Sequence, residues 1–451
     1  MKNVLILGAG LVSRPIVRYL LERTDRRVVV ASRTVSKAQA LIGGHPRGQA
    51  VAVNVDNAAE VEALVREAEI VVSLVPYTHH VAVAKMAIKH RVHVVTTSYV
   101  SPAMRELDKP AQKAGVALLN EIGLDPGIDH MSAMQVIHQI QNSGGTVTHF
   151  SSCCGGFPAL EANTNPWGYK FSWSPRGVIL AGRNNAKFLR NGKVVEIPGP
   201  ELFANRWPYG IEGVGLFVTY PNRDSLPYID TYGLRGIKNM FRGTIRYPGW
   251  CETLKAIADL GLLDLEERAW PRGTTYASFL AGFLPKGKSG SLAERIAAKI
   301  GVTADDPILA RFEWAGLLSD RLIPEKKAAP LDILANRLQK VMAYAPGERD
   351  MIILRHEFVA TWPQRPSART VCVLVDHGEP FGDSSMARTV SLPAAIAVRL
   401  LLQKRLAIEG VHVPVTPEIY EPVMAELGTL GVQFKETSHL LLPGPFDIAK
   451  K

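Results

Sequence analysis

Residues 1–14 read MKNVLILGAGLVSR. Four apolar residues, Val4, Leu5, Ile6 and Leu7, run straight into Gly8-Ala9-Gly10. A short buried strand, a glycine turn and then an amphipathic helix is how an α/β protein holds a dinucleotide's pyrophosphate. Gly8 permits the tight turn, and Gly10 lets the backbone approach phosphate without a side chain in the way. The helix that follows aims unpaired N–H groups and its dipole at the negative charge. Ser13 replaces the third glycine of this fingerprint. The order strand, turn, helix therefore carries the reading against an ordinary βα turn.

Strand and helix signals alternate at short intervals up to about residue 125, as in a doubly wound parallel sheet. Continuous apolar or β-branched runs at 4–7, 27–31, 50–55, 70–75, 93–97 and 116–120 predict strands covered on both faces. Helices are predicted between them at 14–22, 35–42, 58–67, 79–90 and 102–114. Beyond Asp125 the texture changes. Residues 126–142 carry a helical apolar face, and 146–154 read as a strand. Residues 155–250, rich in Gly, Pro, Trp and Tyr, read as strands and long loops. Helical patterns fill most of 251–345, strand character returns at 350–359 and 370–377, and 381–407 pass from a Gly/Ser loop into a long helix.

The 451 residues allow two or three full cores. Hydrophobic content of 47% and charged content of 21% fit a soluble globular protein. The formal net charge is +10, yet Lys and Arg are scattered, which argues for anionic small ligands rather than nucleic acid. Four cysteines, with Cys153 and Cys154 adjacent, make no disulfide framework and predict a cytoplasmic protein. No signal-peptide pattern is visible. The late apolar stretch 392–402 carries Pro393 and Arg399 and reads as too short to span a bilayer, so no membrane partner is expected. No metal site is predicted: His79 and His80 are adjacent, and His90 and His93 have no Cys or acid at ligand spacing. The absence of G-x-S-x-G argues against a serine hydrolase.

The end of the second strand sets the choice of dinucleotide. An acid about 20 residues past the turn binds the ribose 2′-OH of NAD. Here the sequence is Ala31-Ser32-Arg33-Thr34, with no acid. Arg33 offers a planar cation to a 2′-phosphate, flanked by the hydroxyls of Ser32 and Thr34, and such a charge-assisted contact contributes about 1.5–3 kcal/mol. NADP(H) is the expected coenzyme.

Ligands of open α/β sheets sit beyond the carboxyl ends of the strands. Four segments fall at such ends: 75–77 (Val-Pro-Tyr), 96–102 (Thr-Thr-Ser-Tyr-Val-Ser-Pro), 121–127 (Glu-Ile-Gly-Leu-Asp-Pro-Gly) and 154–156 (Cys-Gly-Gly). Asp125, Tyr99 and Cys154 are the candidate acid–base groups. Each has a plain alternative: Asp125 as a helix cap, Tyr99 as a packed ring, Cys154 as a small buried strand residue.

Longer stretches add up to a family. LILGAGLVSRP (5–15), VVSLVPYTHH (71–80), VVTTSYVSPAMREL (94–107), NEIGLDPGIDHM (120–131), CCGGFPA (153–159), NPWGYKFSWSPRGV (165–178), YPNRDS (220–225), RGTIRYPG (242–249) and SSMARTVSLPAAIA (384–397) resemble the glutamate-forming saccharopine dehydrogenases, also called saccharopine reductases. The likeness covers essentially the whole chain. It implies a Rossmann doubly wound parallel sheet, a mixed α/β domain that dimerises and a helical domain. The expected division is 1–125, completed by about 390–451; 126–250 with 346–389; and 251–345.

The implied reaction converts saccharopine, NADP⁺ and water into 2-aminoadipate semialdehyde, glutamate and NADPH, or the reverse, in lysine synthesis or breakdown. The enzyme acts on the CH–NH group of its donor and works as a homodimer. Ser32-Arg33-Thr34 resembles the NADP-using fungal members. By motif, Leu11, Val12 and Ser13 join Gly8 and Gly10 at the pyrophosphate. Ser32, Arg33 and Thr34 hold the 2′-phosphate. Val75, Thr97, Ser98, Leu124, Asp125, Pro126 and Ser174 lie along the ribose and nicotinamide. Ser98, Tyr99, Asp125, Arg223, Thr244 and Arg246 bind substrate, whose three carboxylates suit arginine. Two alternatives stay open: a carboxynorspermidine-type polyamine dehydrogenase, and a non-catalytic NADP-binding redox sensor.

Overall fold

The computed structural model describes residues 3–287 and 289–441. The chain divides into two compact units, Met1–Val147 with Ala360–Lys451, and Thr148–Val359. Of the C-terminal stretch expected to complete the first domain, residues 442–451 lie outside the described residues.

The first unit alternates β1 (Asn3–Leu7), α1 (Arg14–Arg23), β2 (Arg27–Ser32), α2 (Val35–Ile42), β3 (Gly48–Ala52), α3 (Ala58–Arg66), β4 (Ala68–Ser73), α4 (His80–His90), β5 (His93–Val95), α5 (Pro102–Arg105), α6 (Asp108–Ala114), β6 (Ala117–Leu119) and α7 (Ile128–Asn142). The strands form one parallel sheet in the order β6-β5-β4-β1-β2-β3. A seventh strand, Gly410–His412, pairs parallel with β6, Gly410 opposite Ala117. Order reverses between β1 and β4, which opens a crevice at the carboxyl ends of those strands. Val4, Leu5 and Ile6 are fully buried, as a strand covered on both faces must be.

Two differences from the sequence expectation have local causes. Strands predicted to run to 75 and 97 stop at Ser73 and Val95. The next residues still bond to neighbours, Leu74 N–H to the Leu7 carbonyl at 2.8 Å and Thr96 N–H to the Leu119 carbonyl at 2.9 Å. They do so as loops that turn into the site. The single helix predicted over 102–114 is broken into α5 and α6. Pro110 has no N–H to give the Glu106 carbonyl and its ring would meet that carbonyl, so a new helix starts at Asp108.

Helix Ser385–Leu402 also belongs to this unit and starts seven residues before the apolar stretch read from the sequence. It is long and apolar enough to cross a membrane, but 78% of it is buried within the protein. It backs the glycine turn: Ser391 Oγ donates to the Val12 carbonyl, and Asp383 just before it pairs with Arg14 at 3.1 Å. Arg365–His377 and Lys435–Leu441 pair antiparallel.

The second unit is built on a mixed sheet, in the order Trp207–Ile211, Gly215–Pro221, Asn239–Arg246, Thr146–Pro158, Asp350–Trp362. Asn239–Arg246 runs parallel to Thr146–Pro158 and antiparallel to Gly215–Pro221. Helices Trp250–Asp259, Leu292–Ile300, Pro307–Trp314 and Pro330–Val341 follow in the span read as helical. The core is aromatic. Trp167 is fully buried, its indole N–H donates to the Arg311 carbonyl at 2.9 Å, and its ring lies beside Trp250 and Phe312. The fold is thus a Rossmann-type parallel sheet, a mixed α/β layer and helices.

Candidate active site

The site in the first unit lies along the carboxyl rim of the parallel sheet. Gly8 has φ of 114°, and a Cβ there would lie 2.9 Å from the Leu74 carbonyl oxygen. Only glycine lets β1 leave the sheet so close to β4. A Cβ at Gly10 would meet nothing within 4 Å, so the backbone faces open space there. Ser13 is fully buried and ties the turn from inside. Its Oγ accepts the Gly10 N–H at 3.0 Å and donates to the Gly8 carbonyl at 3.3 Å. The hydroxyl standing in for the third glycine is therefore spent on the shape of the turn. Leu11 is exposed in the turn that precedes α1. At the end of β2, Arg33 and Thr34 stand exposed, while Ser32 Oγ accepts the Thr34 N–H at 3.3 Å.

Val75, Thr97 and Ser98 are half-buried beyond β4 and β5. Ser98 belongs to a buried network that sequence reasoning missed. His80, at the start of α4, sits between Ser73 Oγ, 2.8 Å from Nδ1, and Ser98 Oγ, 2.8 Å from Nε2. Thr96 Oγ1 lies 3.3 Å from Nε2 and has already given its proton to the Ser73 carbonyl at 3.0 Å. The neutral ring donates from one nitrogen and accepts at the other, so it ties Ser73 to Ser98 in either tautomer. Burial, with a smaller push from His79, lowers the His80 pKa to about 4, so the ring is neutral at pH 7.

The segment after β6 is a tight loop. Gly123 N–H donates to the Pro126 carbonyl at 2.9 Å, and Ile128 N–H returns to the Gly123 carbonyl at 2.8 Å. A Cβ at Gly127 would lie 2.1 Å from the Gly123 carbonyl oxygen, so this closure requires glycine. The loop buries Leu124 and Pro126 and leaves Asp125 half-buried at its tip. Tyr99 O–H donates to Asp125 Oδ1 at 3.0 Å. The structure therefore brings together Ser98, Tyr99 and Asp125 from the ends of β5 and β6. A second pair missed by the sequence reading, Glu121 and His130, lies beneath them, Oε2 to Nε2 at 2.8 Å. The spacing of an acid and a histidine nine residues apart, across a loop and a helix start, was the available signal.

The second unit carries the other predicted residues. Cys154 lies opposite Thr244 across the parallel pair of strands, and Thr244 lies opposite Tyr220 on the antiparallel side. Arg246 is buried, with its guanidinium over the rings of Tyr169, at 5.1 Å, and Trp250, at 5.8 Å. Nη1 donates to the Ile245 carbonyl at 2.7 Å, but buried Nε has no partner among the described residues. Ser172 Oγ and Trp250 Nε1 are likewise buried without a partner. A buried guanidinium with a spare donor suits a carboxylate. Burial pushes the Tyr220 phenol and the Cys251 thiol up to about 12, so both are neutral beside this cation. Arg223 is exposed on a turn with φ of 56°, its carbonyl accepting the Lys187 N–H at 2.9 Å. Ser174 caps helix Pro175–Leu180, accepting the Gly177 N–H at 3.2 Å.

Comparison with known proteins agrees with this architecture along the chain. Residues 4–119 match the model for the saccharopine dehydrogenase NADP binding domain, and residues 123–432 that for the saccharopine dehydrogenase C-terminal domain. Saccharopine dehydrogenase [NADP(+), L-glutamate-forming] from Schizosaccharomyces pombe is 40% identical, over 97% of this chain and 99% of that protein. The protein of the same name from Saccharomyces cerevisiae is 41% identical over 96% and 99%. The solved apo structure of histidine-tagged saccharopine dehydrogenase (L-Glu forming) from Saccharomyces cerevisiae superimposes with a TM-score of 0.86 at 40% identity, covering 97% of this chain and all of that one. With a matching family model over more than half its length and such relatives end to end, this chain belongs to the saccharopine dehydrogenase family.

Proposed function

We propose that this protein is an NADP-dependent, L-glutamate-forming saccharopine dehydrogenase, an oxidoreductase acting on the CH–NH group of its substrate in lysine metabolism. Saccharopine, NADP⁺ and water give 2-aminoadipate semialdehyde, glutamate, NADPH and a proton, and the reaction is reversible. The observation that carries the reading is end-to-end identity of about 40% with proteins of that name.

The residues present fit NADP. The turn that Gly8 permits leaves the backbone at Gly10 facing open space for a pyrophosphate, and the exposed Arg33, beside Ser32 and Thr34, suits a 2′-phosphate. Leu11, Val12, Ser13, Val75, Thr97, Leu124 and Pro126 frame the same rim, and the family likeness assigns Ser174 to the coenzyme as well. The coenzyme supplies the hydride acceptor, or the donor in reverse. The chain's own residues do the rest. Asp125, half-buried, holds the substrate's secondary ammonium, and its proton passes to Asp125 with Tyr99 sharing the load through the 3.0 Å bond. Ser98, held by His80 at 2.8 Å, fixes a substrate oxygen. Arg223, Thr244 and Arg246 bind carboxylates. Cys154 is the third candidate for proton transfer, after Asp125 and Tyr99.

The protein acts in the cytoplasm, a reading supported by four buried thiols. It works as a homodimer, and residues 251–345 form a helical third domain, both by likeness to the family. Saccharopine-dependent appearance of NADPH absorbance tests the function; carboxynorspermidine as substrate tests the alternative.

A further inference from the structure

Glu121 stands just beyond β6 with φ of 56°. A residue with a Cβ adopts this left-handed conformation at a cost, and such residues gather at functional sites. Contacts on both ends hold it there. Oε1 accepts the Val100 N–H at 2.9 Å, and the Glu121 N–H donates to the Ser98 carbonyl at 3.1 Å. Glu121 therefore grips the backbone on either side of Tyr99. Oε2 meets His130 Nε2 at 2.8 Å.

His130 sits in the first turn of α7 beside Asp129, whose Oδ1 lies 3.8 Å from its Nδ1. The same Oδ1 accepts the Gly127 N–H at 2.6 Å, and Gly127 closes the loop that carries Asp125. A chain of polar contacts thus runs from the Tyr99 segment through Glu121, His130 and Asp129 to the Asp125 loop. Glu121 is 5% exposed, Asp129 1% and His130 0%, so water does not weaken these contacts.

We propose that Glu121 and His130 are positioning residues that hold Tyr99 against Asp125. The inference rests on the function proposed above, since it assigns these groups to that reaction. Tyr99 and Asp125 come from separate loops, and the bond between them survives only while the loops keep their relative position. A misplacement of about 1 Å can cost on the order of a hundredfold in rate.

Glu121→Gln tests this, because it keeps the side chain's length and an acceptor for Val100 but ends the carboxylate–imidazole pair. The expected result is a fall in kcat of about ten- to a hundredfold with NADPH affinity unchanged. The loss must also fail to add to that of Tyr99→Phe: the double variant turns over as slowly as the slower single one. If Glu121→Gln folds poorly, His130 gives the second reading. His130→Gln, whose amide can still donate to Glu121, retains more activity than His130→Ala. Losses that multiply in the Glu121→Gln/Tyr99→Phe variant overturn the proposal, as does wild-type kcat in both Glu121→Gln and His130→Ala. NADPH formation from saccharopine by the unaltered chain separates the two levels. Its absence overturns the functional reading and the proposal with it, whereas full activity with independent losses removes only the positioning role.

Discussion

Tyr99 O–H donates to Asp125 Oδ1 at 3.0 Å, joining residues 26 apart in sequence across two strand ends of one sheet. The bond sets a phenol beside a carboxylate, the pair to which the proposed function assigns the substrate amine's proton.

Asp125→Asn keeps the shape of the loop tip and removes the base. Positioned acid–base groups contribute about 10²–10⁴-fold, so kcat for saccharopine falls by at least about a hundredfold. NADPH affinity changes little, and the acid side of the pH–rate profile, where a protonated base loses its function, changes. Steady-state rates across pH check this, and an unchanged kcat and profile reject Asp125 as the base.

Arg33→Ala removes the exposed guanidinium at the end of β2. Loss of a charge-assisted bond of about 1.5–3 kcal/mol weakens NADPH by roughly ten- to a hundredfold and leaves NADH nearly unchanged. Titration of both coenzymes measures the difference. Equal losses remove Arg33 as the specificity residue.

Much of this rim was legible in the sequence, because it rests on local pattern. The apolar run Val4–Leu7 ends at Gly8, and both the buried strand and the turn with φ of 114° are there. Within the span read as helical, Leu292–Ile300 has its ends written in the sequence, since Ser291 caps it through Glu294 and Gly301 ends it in the left-handed conformation. The break in 102–114 could have been read from Pro110. The spacing of Glu121 and His130 was a signal, but the contacts of His80 with Ser98 and of Glu121 with Val100 were not legible. Each joins the ends of different strands that only the sheet order brings together, and Glu121 holds its place through a backbone angle that no pattern of residue types announces.

His80 gives a pH dependence whose sign is fixed. Its pKa is near 4 in the folded protein and near 6.5 unfolded, so between these values the unfolded chain binds more protons. Stability from this group is full above about pH 6.5 and is lost as pH falls toward 4, by up to about 3 kcal/mol. Urea unfolding at pH 7.5 and 5 measures the slope, and His80→Gln is expected to flatten it. An equal slope in that variant places the acid sensitivity elsewhere.

Arg246 is buried over two aromatic rings with a donor to spare. Replacing a buried, poorly paired charge with an apolar group of similar size is often neutral or stabilising. Arg246→Met therefore keeps or raises the melting temperature while kcat/KM for saccharopine falls by about a hundredfold, the worth of a charged hydrogen-bonded contact of roughly 3 kcal/mol. Arg246→Lys does not restore activity, because an ammonium lacks the planar fork. Unchanged kcat/KM in the Met variant contradicts the assignment.

The most direct test is the rate of NADPH formation when the purified protein is given saccharopine and NADP⁺. The account predicts turnover that needs both and yields glutamate in equal amount to NADPH. No NADPH with saccharopine, from protein that binds NADPH normally, contradicts it.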